Sequence, residues 1–225
     1  MDRGFIEPPV FKGLPVGAAF TMKTFYVDDG VLKTQLKGET VYLPVQKHTD
    51  KVIVVGHDTE RKIADAVVTN AKGLIIGIRT ADCVPILLYD RKRHVAGAVH
   101  AGWRGTAEGI VKKTIAAMRD RFYSSPEDVI VAIGPSIKGR CYEVGPEVAQ
   151  AVAVATGGGQ HVLSCGERLF VDLPSANKIQ AMSEGIHPDD VWISEDCTHC
   201  HPEKYYSYRY ARGTTGRQYG FIVIR

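Results

Sequence analysis

The sequence predicts an α/β or α+β fold: one domain with a mixed, strand-rich central sheet flanked by helices. Three observations lead there. Dense apolar runs at 74–78, 84–89 and 95–99 have the look of strands buried on both faces. The stretch that follows, 106–121, changes period, with Ile110, Val111, Ile115, Met118 and Phe122 near helical spacing. At 225 residues, 44% of them hydrophobic, the chain is long enough to bury most of its surface in one core, and it carries no repeat or linker.

Taken in order, segments 18–27, 31–36, 41–45 and 52–55 read as strands, broken by Asp28-Asp29-Gly30 and Lys37-Gly38-Glu39. Residues 1–43 are thus expected to be strand-rich. After the central runs and the 106–121 helix, Val129–Ile133 is a further buried strand. Pro146 opens a helix to Ala155, because proline at the first helical position forfeits no hydrogen bond. Pro174 opens another to about Glu184, with Asp172 as its cap, and Gly157-Gly158-Gly159 is a flexible loop. Short strands are expected at 191–193 and 221–224.

Bulk properties narrow the function. A formal net charge of +3 leans toward anionic small molecules and lacks the basic stripe of a nucleic-acid binder. No apolar run approaches the roughly 18 residues of a membrane span. The first residues have no basic region followed by an apolar one, so no signal peptide is read there. Five scattered cysteines then predict reduced thiols in the cytoplasm, at least one of them used for chemistry or metal.

Two polar clusters flank the central strands: Thr80-Ala81-Asp82-Cys83 and His100-Ala101-Gly102-Trp103-Arg104-Gly105. If the runs at 84–89 and 95–99 form a hairpin turning over 90–93, Cys83 falls opposite His100. Opposed residues share a face, with Cβ atoms roughly 4.5–5.5 Å apart, a spacing two ligands of one metal need. Cys83 also reads as a buried thiol, or as a nucleophile with His100 as base. A catalytic metal wants a third protein donor, and His48, at a strand end, is the candidate. Arg104 precedes a helix start and suits an anion or a surface ion pair; Arg209 and Arg217 are of the same kind. Cys197-Thr198-His199-Cys200-His201 fits the haem-attachment pattern Cys-x-x-Cys-His and half of a zinc site; the preferred reading is a structured loop near the pocket.

Those two clusters, with Ile133-Gly134-Pro135-Ser136-Ile137, Cys141-Tyr142-Glu143-Val144, Val171-Asp172-Leu173, Asn177, Cys197-Thr198, Ser207-Tyr208-Arg209 and Thr215-Gly216-Arg217-Gln218, resemble the YfiH family, the laccase-like polyphenol oxidoreductase and purine nucleoside phosphorylase group. The resemblance covers roughly 44–225. It implies a YfiH-like fold and a zinc enzyme cleaving adenosine, inosine or methylthioadenosine with phosphate, with adenosine deamination as an accompanying activity. It places the metal on His48, Cys83 and His100, with Cys83, His100 and Asp82 as catalytic groups. Gln46, Arg104 and Arg209 then contact the purine nucleoside and phosphate. The rivals are a copper polyphenol oxidase and a cysteine hydrolase or peptidoglycan-editing amidase using Cys83 and His100. Eight histidines fall short of the roughly ten that a multicopper oxidase needs. One departure stands out: 18–25 has Lys23 and no Gly-Gly turn where the family carries an arginine, so the substrate pocket is expected to differ.

Overall fold

The computed structural model describes residues 4–225. Its apolar runs pair into two larger sheets. One has six strands in the order Val191–Ile193, Val129–Ile133, Val84–Asp90, Val95–Ala101, Ala66–Thr69, Val52–Val54. The other has five: Phe5–Ile6, Val16–Thr21, Gln218–Ile224, Leu74–Thr80, Thr40–Tyr42. Both are mixed, antiparallel at their centres with parallel pairs toward an edge. A small sheet of Glu143–Val144, Arg168–Val171 and Val162–Cys165 lies beside them.

The central runs are continuously apolar because both faces of each strand are covered. In Val84–Asp90, Leu87 and Tyr89 meet Phe20, Ile76, Ile78 and Ile222 of the other sheet. Ile86 and Leu88 point the other way, into a cluster with Ile110, Ile115, Met118 and Leu173. Beyond the five-stranded sheet, Ile75, Phe221 and Val223 receive Leu32 and Leu36. The layers therefore run helix, sheet, sheet, helices. This bears out the mixed, strand-rich α/β class, with the strands divided between two packed sheets.

Several elements differ from their sequence-based expectation. Segment 31–36 is not a strand but part of the helix Asp29–Leu36. Asp28 caps it, accepting from the amides of Gly30 (2.8 Å) and Val31 (3.3 Å), and Leu32 and Leu36 share one face a turn apart. The 106–121 helix is two, Trp103–Ala107 and Ile110–Phe122, separated at Gly109, whose φ of +70° no continuing helix has. The first long strand ends at Thr21 rather than residue 27, and the last begins at Gln218. Strands Ala66–Thr69, Val162–Cys165 and Arg168–Val171 have no counterpart among the sequence-based expectations. Helices Pro146–Ala155 and Leu173–Ser183 lie where the prolines put them, the second capped by Asp172. Among the described residues no helix is long and apolar enough to cross a membrane.

Candidate metal centre and its cavity

The centre forms where the two sheets hand the chain to one another. Leu74–Thr80 belongs to the five-stranded sheet and Val84–Asp90 to the six-stranded one, so residues 81–83 are a crossover between interior strands of the two sheets. Asp82 takes a φ of +85° there, a left-handed conformation uncommon for a residue with a side chain. Cys83 follows it, half-buried.

The hairpin register is two residues off the expected one. Asp90 pairs with Val95 and Pro85 with His100, so the loop is 91–94. Asp90 sets this loop by accepting the amides of Lys92 (2.8 Å) and Arg93 (2.9 Å), as turn-forming aspartates do. Cys83 therefore lies diagonal to His100. A slip of two keeps side chains on their face, and the pair still converges.

His48 is delivered by a loop held from both sheets. On one side Gln46 accepts the Arg79 amide and donates to the Arg79 carbonyl, both at 2.8 Å. On the other the fully buried Asp65 carboxylate accepts the amides of Lys47 (3.1 Å), His48 (3.0 Å) and Thr49 (2.7 Å) and the Thr49 hydroxyl (2.8 Å). His48 sits at φ +58° within this wrap. Asp65 also faces His100 Nδ1 at 2.8 Å. An ionised carboxylate only accepts, so Nδ1 carries the proton and Nε2 is left as a donor atom for metal.

The Cys83 Sγ lies 3.9 Å from His48 Nε2, the two imidazole rings are 4.8 Å apart, and one donor atom from each of the three residues falls within 4.8 Å of the others. Burial acts against charge at Cys83, but the adjoining His100 and His48 outweigh it and bring the thiol down to about 6. Burial likewise opposes the His100 cation, yet the Cys83 thiolate and Asp65 lift it to about 9. Asp65, despite its burial, is held well below the usual carboxylate range by His100 and Thr49. A thiolate and two imidazoles suit zinc or copper(I), and three protein donors leave a tetrahedral ion one open position. Gly102 approaches them closely: a Cβ there would stand 3.2 Å from Cys83 Sγ and 3.3 Å from His48 Cδ2, so both side chains would have to give by a few tenths of an ångström.

The donors open into a cavity of about 800 Å³ also lined by Arg79, Arg104, Arg209, Arg217 and Tyr142. The Arg104 guanidinium stacks 4.4 Å from the Trp103 ring. Arg209 donates to the Glu143 carbonyl (2.8 Å) and lies over the Tyr142 ring. Burial, with Cys83 nearby, pushes the Tyr142 phenol up to about 12, so it keeps its proton at neutral pH. Asp82 lines the cavity, but both its oxygens are engaged, one by the Thr198 hydroxyl (2.6 Å) and one by the Arg209 amide (2.7 Å). Through these two contacts it holds the cavity wall. Gln46, with its amide committed to Arg79, is a brace of the same kind. Lys23 interacts with the Pro202 carbonyl and the Tyr206 ring, away from the cavity lining. Asp65 escaped sequence reading; its only signal was one acid between alanines at the start of an apolar run.

Comparison with known proteins matches residues 30–225 to the family described as multi-copper polyphenol oxidoreductase laccase. A purine nucleoside phosphorylase of Shigella flexneri, YfiH, is 30% identical over 226 residues, 98% of this chain and 90% of that protein. The chain belongs to the YfiH family. A purine nucleoside phosphorylase of Clostridium acetobutylicum is 35% identical over 214 residues, 92% of this chain and 87% of its own. The crystal structure of YlmD from Geobacillus stearothermophilus superposes with a TM-score of 0.89 at 27% identity, covering 100% of this chain and 97% of that one.

Proposed function

We propose that this YfiH-family chain is a zinc-dependent purine nucleoside phosphorylase, with the ion on His48, Cys83 and His100. The observation that carries the reading is the joining of those three donors to a cavity lined by four arginines; relatives bearing the phosphorylase name support it. Adenosine, inosine and methylthioadenosine are the proposed substrates. In phosphorolysis a phosphate oxygen bonds to the anomeric carbon as the glycosidic C–N bond breaks, and the departing purine keeps the bonding pair and takes up a proton. Zinc, when bound, supplies Lewis acidity to an oxygen of substrate or water. Arg104, pre-oriented on Trp103, and Arg209, pinned through Asp82, bind and orient the phosphate dianion. Tyr142, protonated at neutral pH, donates a hydrogen bond to substrate. Asp65 fixes the His100 tautomer and the His48 loop.

Deamination of adenosine is a second reading, favoured by the open coordination position of a three-donor set. Polyphenol oxidation fits the donors less well. Among the described residues two groups have metal-binding spacing, and neither has the histidine complement of a multicopper cluster. The test is inosine with phosphate: hypoxanthine and ribose 1-phosphate are expected, with loss on chelation, recovery with zinc and abolition in Cys83→Ala. Adenosine given to the same protein reports deamination as inosine. Activity that resists chelator but yields to thiol alkylation would favour a cysteine hydrolase and sink the proposal.

A further inference from the structure

A second convergence of metal-binding side chains lies behind the cavity wall. Segments 136–141 and 197–201 run side by side, joined by a parallel bridge between Ser136 and Cys197 and by the Thr198 amide donating to the Ser136 carbonyl at 3.2 Å. This pairing brings Cys141 across from Cys200, their sulfurs 3.3 Å apart. The His199 ring, set edge-on against Tyr210, places a nitrogen within 4.8 Å of both sulfurs. The buried Cys197 thiol interacts with both neighbouring thiols. Cys197 Sγ also accepts the backbone amides of Lys138, His199 and Cys200.

Cys141, Cys200 and His199 at metal-ligand spacing, with the Cys197 thiol adjoining both sulfurs, are more than packing requires. Amides folded back onto the first sulfur of a Cys-x-x-Cys turn stabilise a thiolate, the form that binds metal. We propose that Cys141, Cys197, Cys200 and His199 form a closed, structural zinc site. Three cysteines and one histidine are a set that satisfies tetrahedral zinc without an open position. Two sulfurs on one zinc ion stand about 3.8 Å apart at bond lengths of about 2.3 Å, so the Cys141–Cys200 pair opens by about half an ångström. Three thiolates on a divalent ion leave one negative charge, and the Lys138 ammonium, which donates to the Ser194 carbonyl, interacts with Cys197 and balances it. Such an ion would tie together the segments that lead into Tyr142, Thr198 and, through Asp82, Arg209.

The site is independent of the proposed catalytic zinc, and one set of measurements separates them. Metal content of protein purified without chelator is expected to be two zinc ions per chain, falling to one in Cys200→Ser, in Cys141→Ser and in Cys83→Ala. Cys83→Ala loaded with cobalt(II) is expected to show intense thiolate-to-cobalt charge-transfer absorption, since the second site keeps all its sulfurs. This arm stands even where a serine variant fails to fold. One zinc that leaves with Cys200→Ser and stays in Cys83→Ala would uphold this site while failing the catalytic one. Unchanged zinc in both serine variants, no thiolate absorption in Cys83→Ala, or a Cys141–Cys200 disulfide in freshly isolated protein would overturn it.

Discussion

Asp65 gathers three backbone amides, a hydroxyl and a ring nitrogen on one buried carboxylate. Replacing one oxygen by an amide turns an acceptor into a donor facing donors. Asp65→Asn is expected to lower zinc affinity by roughly 10–100-fold, measured by competition with a chromogenic chelator. Cys83 offers a pH test. With its thiol near 6, the thiolate forms as pH rises through that value, so alkylation of metal-free protein is expected to accelerate with a midpoint near 6 and level off above it. An ordinary thiol would keep accelerating to about 8.5. Zinc should protect Cys83 from the reagent throughout. The Cys83–His100 partnership was legible because strand alternation survives a register slip of two. Asp65 was not, since its partners lie 16 to 35 residues away and meet it only in the folded state.

At the scale of elements, the centre depends on backbone that approaches closely at a crossover. Gly102→Ala would put a methyl against both Cys83 and His48. Zinc affinity is expected to fall while far-UV circular dichroism is unchanged, the φ of −76° being open to alanine. Asp82→Ala frees Thr198 and the start of the short helix Tyr208–Ala211 together. It is expected to raise KM for phosphate more than it lowers kcat, with zinc content retained. Helices opened by proline were readable because proline fixes φ and removes a donor. The helix Asp29–Leu36 was not, because it is short, and its Val31 and flanking turn residues imitate a strand between breaks. Its Asp28 cap and the Leu32–Leu36 spacing were the competing signal.

At the scale of the molecule, stability rests on the seam between the two sheets. Phe20, 1% exposed, stacks 6.3 Å from Trp192 and fills the space above Gly134 and Gly220. Phe20→Ala is expected to cost about 3–5 kcal/mol, read by urea titration, with no change in metal stoichiometry. That two sheets form instead of one was not legible, because runs buried on both faces look alike whether helices or a second sheet cover them. The strand Gln218–Ile224 lies between Val16–Thr21 and Leu74–Thr80, joining partners made long before it. During synthesis His48, Cys83 and His100 emerge well before this strand, and the five-stranded sheet has a gap at its middle until residues 218–224 are made. Two unpaired strand edges and an apolar face stay open for that interval, a state prone to misassociation. The five-stranded sheet accordingly closes only once residues 218–224 are in place between their two partners.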